Sequence, residues 1–146
     1  MYRRYKDKAD FVAVYMREAH ASDGWALPGN EKIGIAVAQH KDYAERSQAA
    51  KVCYSSLTMT MPMVVDEIDD RVGIAYSGMP DRLYLLDTQG RVAYKGGRGP
   101  FGYKPSELEQ SLIMLLLDEA AAKRPTGRPV QARTIGDQRN VNVDER

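Results

Sequence analysis

Short, continuous apolar runs separated by longer polar stretches mark the first half of the chain. Residues 11–16 are all apolar and rich in β-branched and aromatic side chains, so they predict a strand buried on both faces. Residues 63–66, which the chain enters through Pro62, predict a second buried strand. Residues 17–30 form a long connection between predicted elements, and connections of this length are usually functional or disordered.

Helical patterns lie on both sides of the second predicted strand. Residues 41–53 predict a helix because good helix formers dominate this segment. Its buried stripe could be supplied by Tyr43, Ala49, Ala50 and Val52. Residues 69–77 predict a second, shorter helix.

The second half of the chain predicts a β-hairpin followed by a long helix. Residues 82–87 and 91–95 are predicted strands joined by a Thr-Gln-Gly turn. At the start of the final helix, Ser106 and Glu109 have the spacing of a capping box. The apolar face of that helix is expected to contain Leu108, Leu112, Leu115 and Leu116.

The order of these elements predicts an α/β fold. Its last five elements, in the order strand, helix, strand, strand, helix, match the second half of a thioredoxin-like layout, so we expect a mixed sheet flanked by helices in one domain spanning residues 1–123. In that layout a proline at the start of the third core strand often has a cis peptide bond and faces the active site. Pro62 stands at the corresponding point and is therefore a candidate for such a proline. Residues 124–146 hold prolines, glycines and many charges but no aromatics, and predict a disordered tail.

The composition argues against several kinds of partner and site. The 146 residues include 21 Lys+Arg and 20 Asp+Glu, and this balance argues against a nucleic-acid partner. No apolar stretch approaches the roughly 18 residues of a membrane span, so no membrane partner is expected. The single cysteine, Cys53, excludes an internal disulfide and a cysteine-rich zinc site. We therefore expect a cytoplasmic protein without a metal.

The densest group of chemically active side chains directly follows the first predicted strand. In the segment EAHASDGW, residues 18–25, His20 could shuttle a proton near neutral pH, and Asp23 could orient it. Open α/β sheets carry their sites at such strand ends. The alternative is a capped turn with an exposed histidine.

Three further features are candidates for chemistry. His40, the second histidine, precedes a predicted helix, where a role at the end of a turn is the alternative. The glycine-rich segment at residues 96–100 could bring Arg98 close to a carboxylate or phenolate ligand. Asp81 and Arg82 precede a strand and are expected to form a surface ion pair.

Together these motifs resemble the iodothyronine deiodinase family. The resemblance rests on EAHASDGW at residues 18–25, ERSQAAKV at residues 45–52 and GGRGP at residues 96–100, and it covers roughly residues 9–117. It implies a thioredoxin-like fold and reductive removal of iodine from an iodinated phenol. It also implies a selenocysteine or cysteine nucleophile and a thiol reductant as cosubstrate, with no other cofactor.

The resemblance also implies roles for individual residues. The expected catalytic residues are His20, Arg98 and His40. The expected substrate-binding residues are Glu18, Asp23, Trp25, Asp81 and Pro62. Asp81 stands where the family usually has glutamate.

One departure from the family concerns the nucleophile. In the family it precedes the first helix and is followed by two prolines, and this sequence holds no such motif. Cys53 does not match that position and has no neighbouring histidine or cluster of cationic residues in sequence to lower its pKa, so we expect a structural thiol. The first core strand, expected between the strands at residues 11–16 and 63–66, is lacking as well. An upstream UGA codon taken as a stop would explain both.

Three functions therefore stay open. The first is a deiodinase-like enzyme acting on an aromatic halide. The second is a thioredoxin- or peroxiredoxin-like thiol reductase or peroxidase, and the third is a non-catalytic ligand-binding remnant. Family members often dimerise, so the resemblance also implies a homodimer.

Overall fold

The computed structural model describes residues 1–32 and 36–123. The helices are α1 (Tyr2–Tyr5), α2 (Pro28–Lys32), α3 (Tyr43–Ser56), α4 (Arg71–Ala75) and α5 (Pro105–Ala122). The strands are β1 (Ala13–Tyr15), β2 (Met63–Val65), β3 (Tyr84–Leu86) and β4 (Val92–Lys95). Each predicted strand and helix is present, so the α/β class is confirmed. The predicted tail at residues 124–146 lies outside the described residues.

The strands form two separate two-stranded sheets in place of the single mixed sheet that we expected. β1 and β2 are parallel, with Ala13 opposite Met63 and Tyr15 opposite Val65. β3 and β4 are antiparallel, with a register irregularity between Leu85 and Leu86. Because β1 and β2 pair directly, the expectation that a missing strand lies between them is wrong.

Pro62 lies at the opposite end of the β1–β2 sheet from the EAHASDGW segment. Its carbonyl oxygen accepts a hydrogen bond from Ala13 N at 2.9 Å, at the point where both parallel strands begin. The EAHASDGW segment follows the end of β1. The peptide bond before Pro62 is trans, and in the described part of the chain cis bonds precede Pro80 and Pro100.

The face of α3 that packs against β2 differs from the predicted stripe. Its buried residues are Arg46 and Ala50, one helical turn apart. Tyr43 and Val52 are 47% and 55% exposed, so their assignment to the buried stripe is wrong. Because the buried face contains an arginine, a stripe of apolar residues alone does not identify it.

The final helix packs against the hairpin and begins without the predicted capping box. Lys104 is its N-cap and makes no side-chain capping bond, and Ser106 is already inside the first turn. Leu112, at 2% exposure, is the buried residue of this helix. On its outer side, Glu109 Oε1 accepts a hydrogen bond from Tyr5 Oη at 2.9 Å, which fastens α1 to α5.

The apolar core of the described residues is small. Its buried members are Tyr5, Ala21, Ala50 and Leu112. Charged or polar side chains are buried to the same degree at His40, Arg46 and Asp66. Buried polar groups need hydrogen-bond or ionic partners, so the burial of these three residues depends on their polar neighbours.

Candidate functional site

A partly buried chain of polar side chains starts at the last residue of β1. The Tyr15 hydroxyl donates a hydrogen bond to Glu18 Oε1. The same carboxylate oxygen lies 3.9 Å from His40 Nε2. Glu18 N donates to the Gln39 side chain at 3.2 Å, which ties the end of β1 to the segment before α3. The arrangement places a phenol, a carboxylate and an imidazole in series.

His40 is the most enclosed member of this chain. Its side chain is 3% exposed, and its ring lies 5.8 Å from the Tyr15 ring, centroid to centroid. Neither ring nitrogen has a hydrogen-bond partner among the described residues. Buried imidazole nitrogens are usually paired, and the carboxylate of Glu18 is the nearest group that could take a proton from His40.

The ionisation of two neighbouring groups is suppressed at this place. Burial, and then the hydrogen bond and charge of Glu18, raise the pKa of Tyr15 well above its usual range. Burial and the Glu18 charge also raise the pKa of the Cys53 thiol. Both groups are therefore held in their protonated forms, and a thiol is a far weaker nucleophile than a thiolate.

His20 lies on the exposed side of the same loop. Its Nδ1 is 3.3 Å from the Trp25 carbonyl oxygen, and the two rings meet edge to face at 4.7 Å. Trp25 is 75% exposed. The Asp23 carboxylate accepts a hydrogen bond from Gln39 N at 2.8 Å, so it joins the loop to the residue before His40 and does not orient His20. An indole and an imidazole thus stand together at the surface.

Arg98 sits in a tightly folded glycine-rich loop after β4. Gly102 N donates to the Arg98 carbonyl at 2.8 Å, and Gly99 N donates to the Asp81 carbonyl at 3.1 Å. A Cβ on Gly99 would collide with the Asp81 carboxylate, and one on Gly102 would collide with the backbone of Gly97. The glycines are needed here because two stretches of backbone and one carboxylate approach closely.

The predicted surface ion pair between Asp81 and Arg82 is wrong. Both residues are half-buried, and Asp81 Oδ1 and Arg82 Nε have no hydrogen-bond partner in the part of the chain that the structure describes. The Asp81 carboxylate packs against Gly99 in the Arg98 loop. The structure therefore places Asp81 beside the loop that carries Arg98.

A cavity of about 230 Å³ lies beyond the end of β1. Its lining includes Met16, Arg17, Asp70, Ile74, Met79 and Arg98. Of the residues proposed from the sequence, Arg98 lines this cavity. His20 belongs to the loop after β1, and His40 belongs to the polar chain with Tyr15 and Glu18. The structure thus separates the expected site residues into neighbouring groups.

Sequence reasoning missed a network of charges around Asp70. Asp70 Oδ1 lies 2.8 Å from Arg46 Nη1, and Asp70 Oδ2 lies 3.7 Å from Arg17 Nε. Arg46 also donates to the Glu67 carbonyl at 2.6 Å. The position of Arg17 directly after a predicted buried strand could have marked it as a candidate site residue. Its pairing with Asp70, 53 positions later, could not have been predicted from the sequence.

Two properties of the described residues bear on the class of protein. Within residues 1–32 and 36–123, no three histidine, cysteine, aspartate or glutamate side chains gather as a metal site would require. In the same ranges, no helix has both the length and the apolar character that crossing a bilayer demands.

Comparison with known proteins gives concordant matches. A family model described as iodothyronine deiodinase matches residues 1–115. The chain is 36% identical over 110 residues to the type II iodothyronine deiodinase of Homo sapiens, covering 74% of this chain and 40% of that protein. It is 38% identical over 100 residues to the type I iodothyronine deiodinase of Xenopus laevis, covering 68% and 37% respectively. The chain thus spans about two fifths of the length of these curated relatives.

Proposed function

The chain belongs to the iodothyronine deiodinase family, and on that premise we propose that it forms the substrate-binding and proton-handling part of an enzyme that removes iodine reductively from iodinated phenols. The observation that carries this proposal is the partly buried series Tyr15–Glu18–His40 at the end of β1. The alternatives of a thiol peroxidase and a binding remnant have no feature of their own in the described residues.

Reductive deiodination requires proton transfers, and a series of acidic and basic side chains can carry them out. One aryl iodide and two thiols give one arene, one disulfide, one iodide ion and one proton. The carbon–iodine bond breaks, a carbon–hydrogen bond forms, and the two thiols supply the electrons. A proton must therefore reach the ring carbon while thiol protons leave, and a positioned acid or base accelerates such transfers.

The roles of the individual groups follow from their placement. His40 would exchange protons with the Glu18 carboxylate, whereas Tyr15, which keeps its own proton, would hold Glu18 in place through its hydrogen bond. His20 with Trp25 offers an aromatic surface and an imidazole to a phenol ring. Arg98 offers a forked guanidinium to an anionic group of the substrate. Asp81 would support the Arg98 loop through its contact with Gly99.

We place the nucleophile outside this sequence. The lone thiol, Cys53, has a raised pKa because of burial and the Glu18 charge, which opposes a nucleophilic role. β1 and β3 each pair on one side only in the described part of the chain. A further strand that carries the nucleophile could pair with these free edges and unite the two sheets in a thioredoxin-like fold. A thiol reductant would then regenerate the nucleophile.

The decisive experiment measures iodide release by an extended protein that includes the in-frame upstream segment. Purified protein is incubated with 3,5-diiodo-4-hydroxyphenylacetate and dithiothreitol, and iodide is quantified. We expect release that disappears when the upstream selenocysteine or cysteine is replaced by serine. Absence of release from several iodinated phenols and reductants would overturn the proposal. Consumption of peroxide without iodide release would identify a peroxidase instead.

A further inference from the structure

We infer that Gln39 and Asp23 hold His40 within reach of the Glu18 carboxylate, so that both are positioning residues for the proton exchange between His40 and Glu18. The inference deepens the proposed function and rests on it for the chemical use of that exchange. The placement of His40 by these two residues is a separate claim, and the 146-residue chain can test it without turnover.

His40 lacks hydrogen bonds of its own that would fix its ring. Its side chain is 3% exposed, and neither ring nitrogen has a hydrogen-bond partner among the described residues. Glu18 Oε1 lies 3.9 Å from His40 Nε2, which is longer than a hydrogen bond. The position of the imidazole therefore depends on the backbone that carries it.

That backbone belongs to residues 36–40, which form neither a helix nor a strand. The path of such a segment is not set by a regular ladder of hydrogen bonds, so it needs individual attachments. One of them is a backbone hydrogen bond, which Ser22 N donates to the Val37 carbonyl at 2.8 Å. The other attachments to the loop after β1 come from side chains.

Two side-chain hydrogen bonds meet at the residue directly before His40, and we call them the clasp. Gln39 N donates to Asp23 Oδ1 at 2.8 Å. Glu18 N donates to Gln39 Oε1 at 3.2 Å. The clasp thus uses both the main chain and the side chain of Gln39, and it ties this residue to the loop after β1 at two points.

The clasp connects both partners of the proton exchange to one residue. The Gln39 side chain holds the main chain of Glu18, and the Gln39 main chain leads directly into His40. A proton passes between heavy atoms about 2.6–3.2 Å apart, so an approach of roughly 1 Å would bring His40 Nε2 into range of Glu18 Oε1. A displacement of about 1 Å in the other direction can cost roughly 100-fold in rate.

Both bonds of the clasp depend on an acceptor oxygen and not on charge. Asp23 is exposed and accepts from an uncharged N–H group. The oxygen of the Gln39 amide faces Glu18 N because that group is a donor. Asp23→Asn and Gln39→Glu therefore retain the acceptors, whereas Asp23→Ala and Gln39→Met remove them.

The first test measures the position of His40 in the 146-residue chain. Nuclear Overhauser effects between the ring protons of His40 and Tyr15 report the contact of the two rings, whose centroids lie 5.8 Å apart. The effect falls with the sixth power of the distance, so a displacement of about 1 Å should reduce it roughly threefold in Gln39→Met. Gln39→Glu should preserve it.

Gln48→Met is the matched control for this measurement, because Gln48 is exposed on α3 and lies outside the clasp. Its cross-peak between the two rings should equal that of the wild type. An equal cross-peak in Gln39→Met and Gln48→Met would overturn the inference. Far-UV circular dichroism of each variant verifies its fold.

The second test uses iodide release by the extended protein and separates kcat from KM. Asp23→Ala and Gln39→Met should each lower kcat about tenfold, part of the roughly 10²–10⁴-fold that acid–base catalysis supplies, and leave KM within about twofold. Asp23→Asn and Gln39→Glu should restore most of kcat. A raised KM with an unchanged kcat would assign these residues to substrate binding and overturn the inference.

Action through His40 has its own readout. Gln39→Met should lower kcat in the wild-type background and have little further effect on the residual kcat of His40→Ala. An equal effect in both backgrounds would show that Gln39 does not act through His40. If the extended protein releases no iodide but the ring contact responds as expected, the proposed function fails and the placement of His40 by the clasp stands.

Discussion

Arg46 Nη1 lies 2.8 Å from Asp70 Oδ1, and this contact joins the first turn of α3 to the start of α4. Arg46 is 1% exposed and also donates to the Glu67 carbonyl at 2.6 Å. A buried cation is tolerable only when a counterion and hydrogen-bond acceptors surround it. The position of α4, and with it the cavity beside β1, therefore depends on a charge pair.

Removal of the Asp70 charge should destabilise the protein. Asp70→Asn keeps a residue that accepts a left-handed φ but leaves Arg46 without its carboxylate. We expect a loss of about 3 kcal/mol in the free energy of unfolding, measured by urea denaturation. Asp69→Asn is the matched control, because its pair with Arg71 is exposed and should contribute less than about 1 kcal/mol. Equal losses for the two variants would contradict the prediction.

Stability should fall at alkaline pH because of Tyr15. Burial and then Glu18 raise its pKa, so the folded state holds the phenolic proton more tightly than the unfolded chain does. The resulting stabilisation is complete below the ordinary tyrosine pKa of about 10 and is lost as the pH rises toward the folded value. Urea midpoints between pH 8 and 11 should decline less in Tyr15→Phe than in the wild type.

The control for this titration is Tyr43→Phe, which removes a tyrosine that is 47% exposed. Its midpoints should decline with pH as the wild type's do. If Tyr15→Phe shows the same decline as both of these proteins, Tyr15 is not the source of the alkaline loss.

The thiol of Cys53 should react slowly, and Glu18 should control part of that slowness. Burial first and the Glu18 charge second raise the pKa of Cys53, which keeps the thiolate scarce near neutral pH. Iodoacetamide labelling at pH 8 should be slower in the folded than in the urea-unfolded chain. Glu18→Gln should accelerate labelling of the folded chain, whereas Glu67→Gln, on an exposed residue, should not.

The comparison of the two variants tests whether the charge of Glu18 controls the reactivity of Cys53. Equal acceleration by Glu18→Gln and Glu67→Gln would show that the carboxylate of Glu18 does not act on the thiol. Circular dichroism of both variants distinguishes a local charge effect from partial unfolding.

The loop that carries Arg98 should not tolerate side chains at its inner glycines. A Cβ on Gly102 would collide with the backbone of Gly97, which cannot move as a flexible side chain would. We expect Gly102→Ala to cost about 1–3 kcal/mol in thermal unfolding, the range for overpacked sites. Gly29→Ala is the control, because nothing lies within 4 Å of its added methyl group. An unchanged stability of Gly102→Ala would contradict the prediction, because the loop would then accommodate the added methyl group.

The periodicity of apolar residues predicted the elements well and their contacts less well. The hairpin at β3 and β4 follows from two β-rich runs around a glycine turn, which is a local signal. The buried face of α3 does not follow, because it contains Arg46, whose partner Asp70 stands 24 positions later. Pattern rules assign a charged residue to solvent, and only the tertiary pair explains its burial.

The candidate site shows the same division. The placement of His20, Asp23 and Trp25 at the end of β1 was predictable, because polar groups there follow a buried strand. The approach of Glu18 to His40 was not, since it depends on how residues 36–40 return to the end of β1. The prediction of a further strand between β1 and β2 was wrong for the same reason, because sequence order does not determine which strands become neighbours.

The contact of α1 with α5 has a consequence for how the molecule opens. Tyr5 and Glu109 are 104 positions apart, so their hydrogen bond closes a loop that contains most of the described residues. A helix of four residues has no stability of its own in water and persists only while it is docked. Amide exchange in α1 should therefore keep pace with its release from α5. A fluorescent label near Tyr2 would report the first separation of the two ends of this loop.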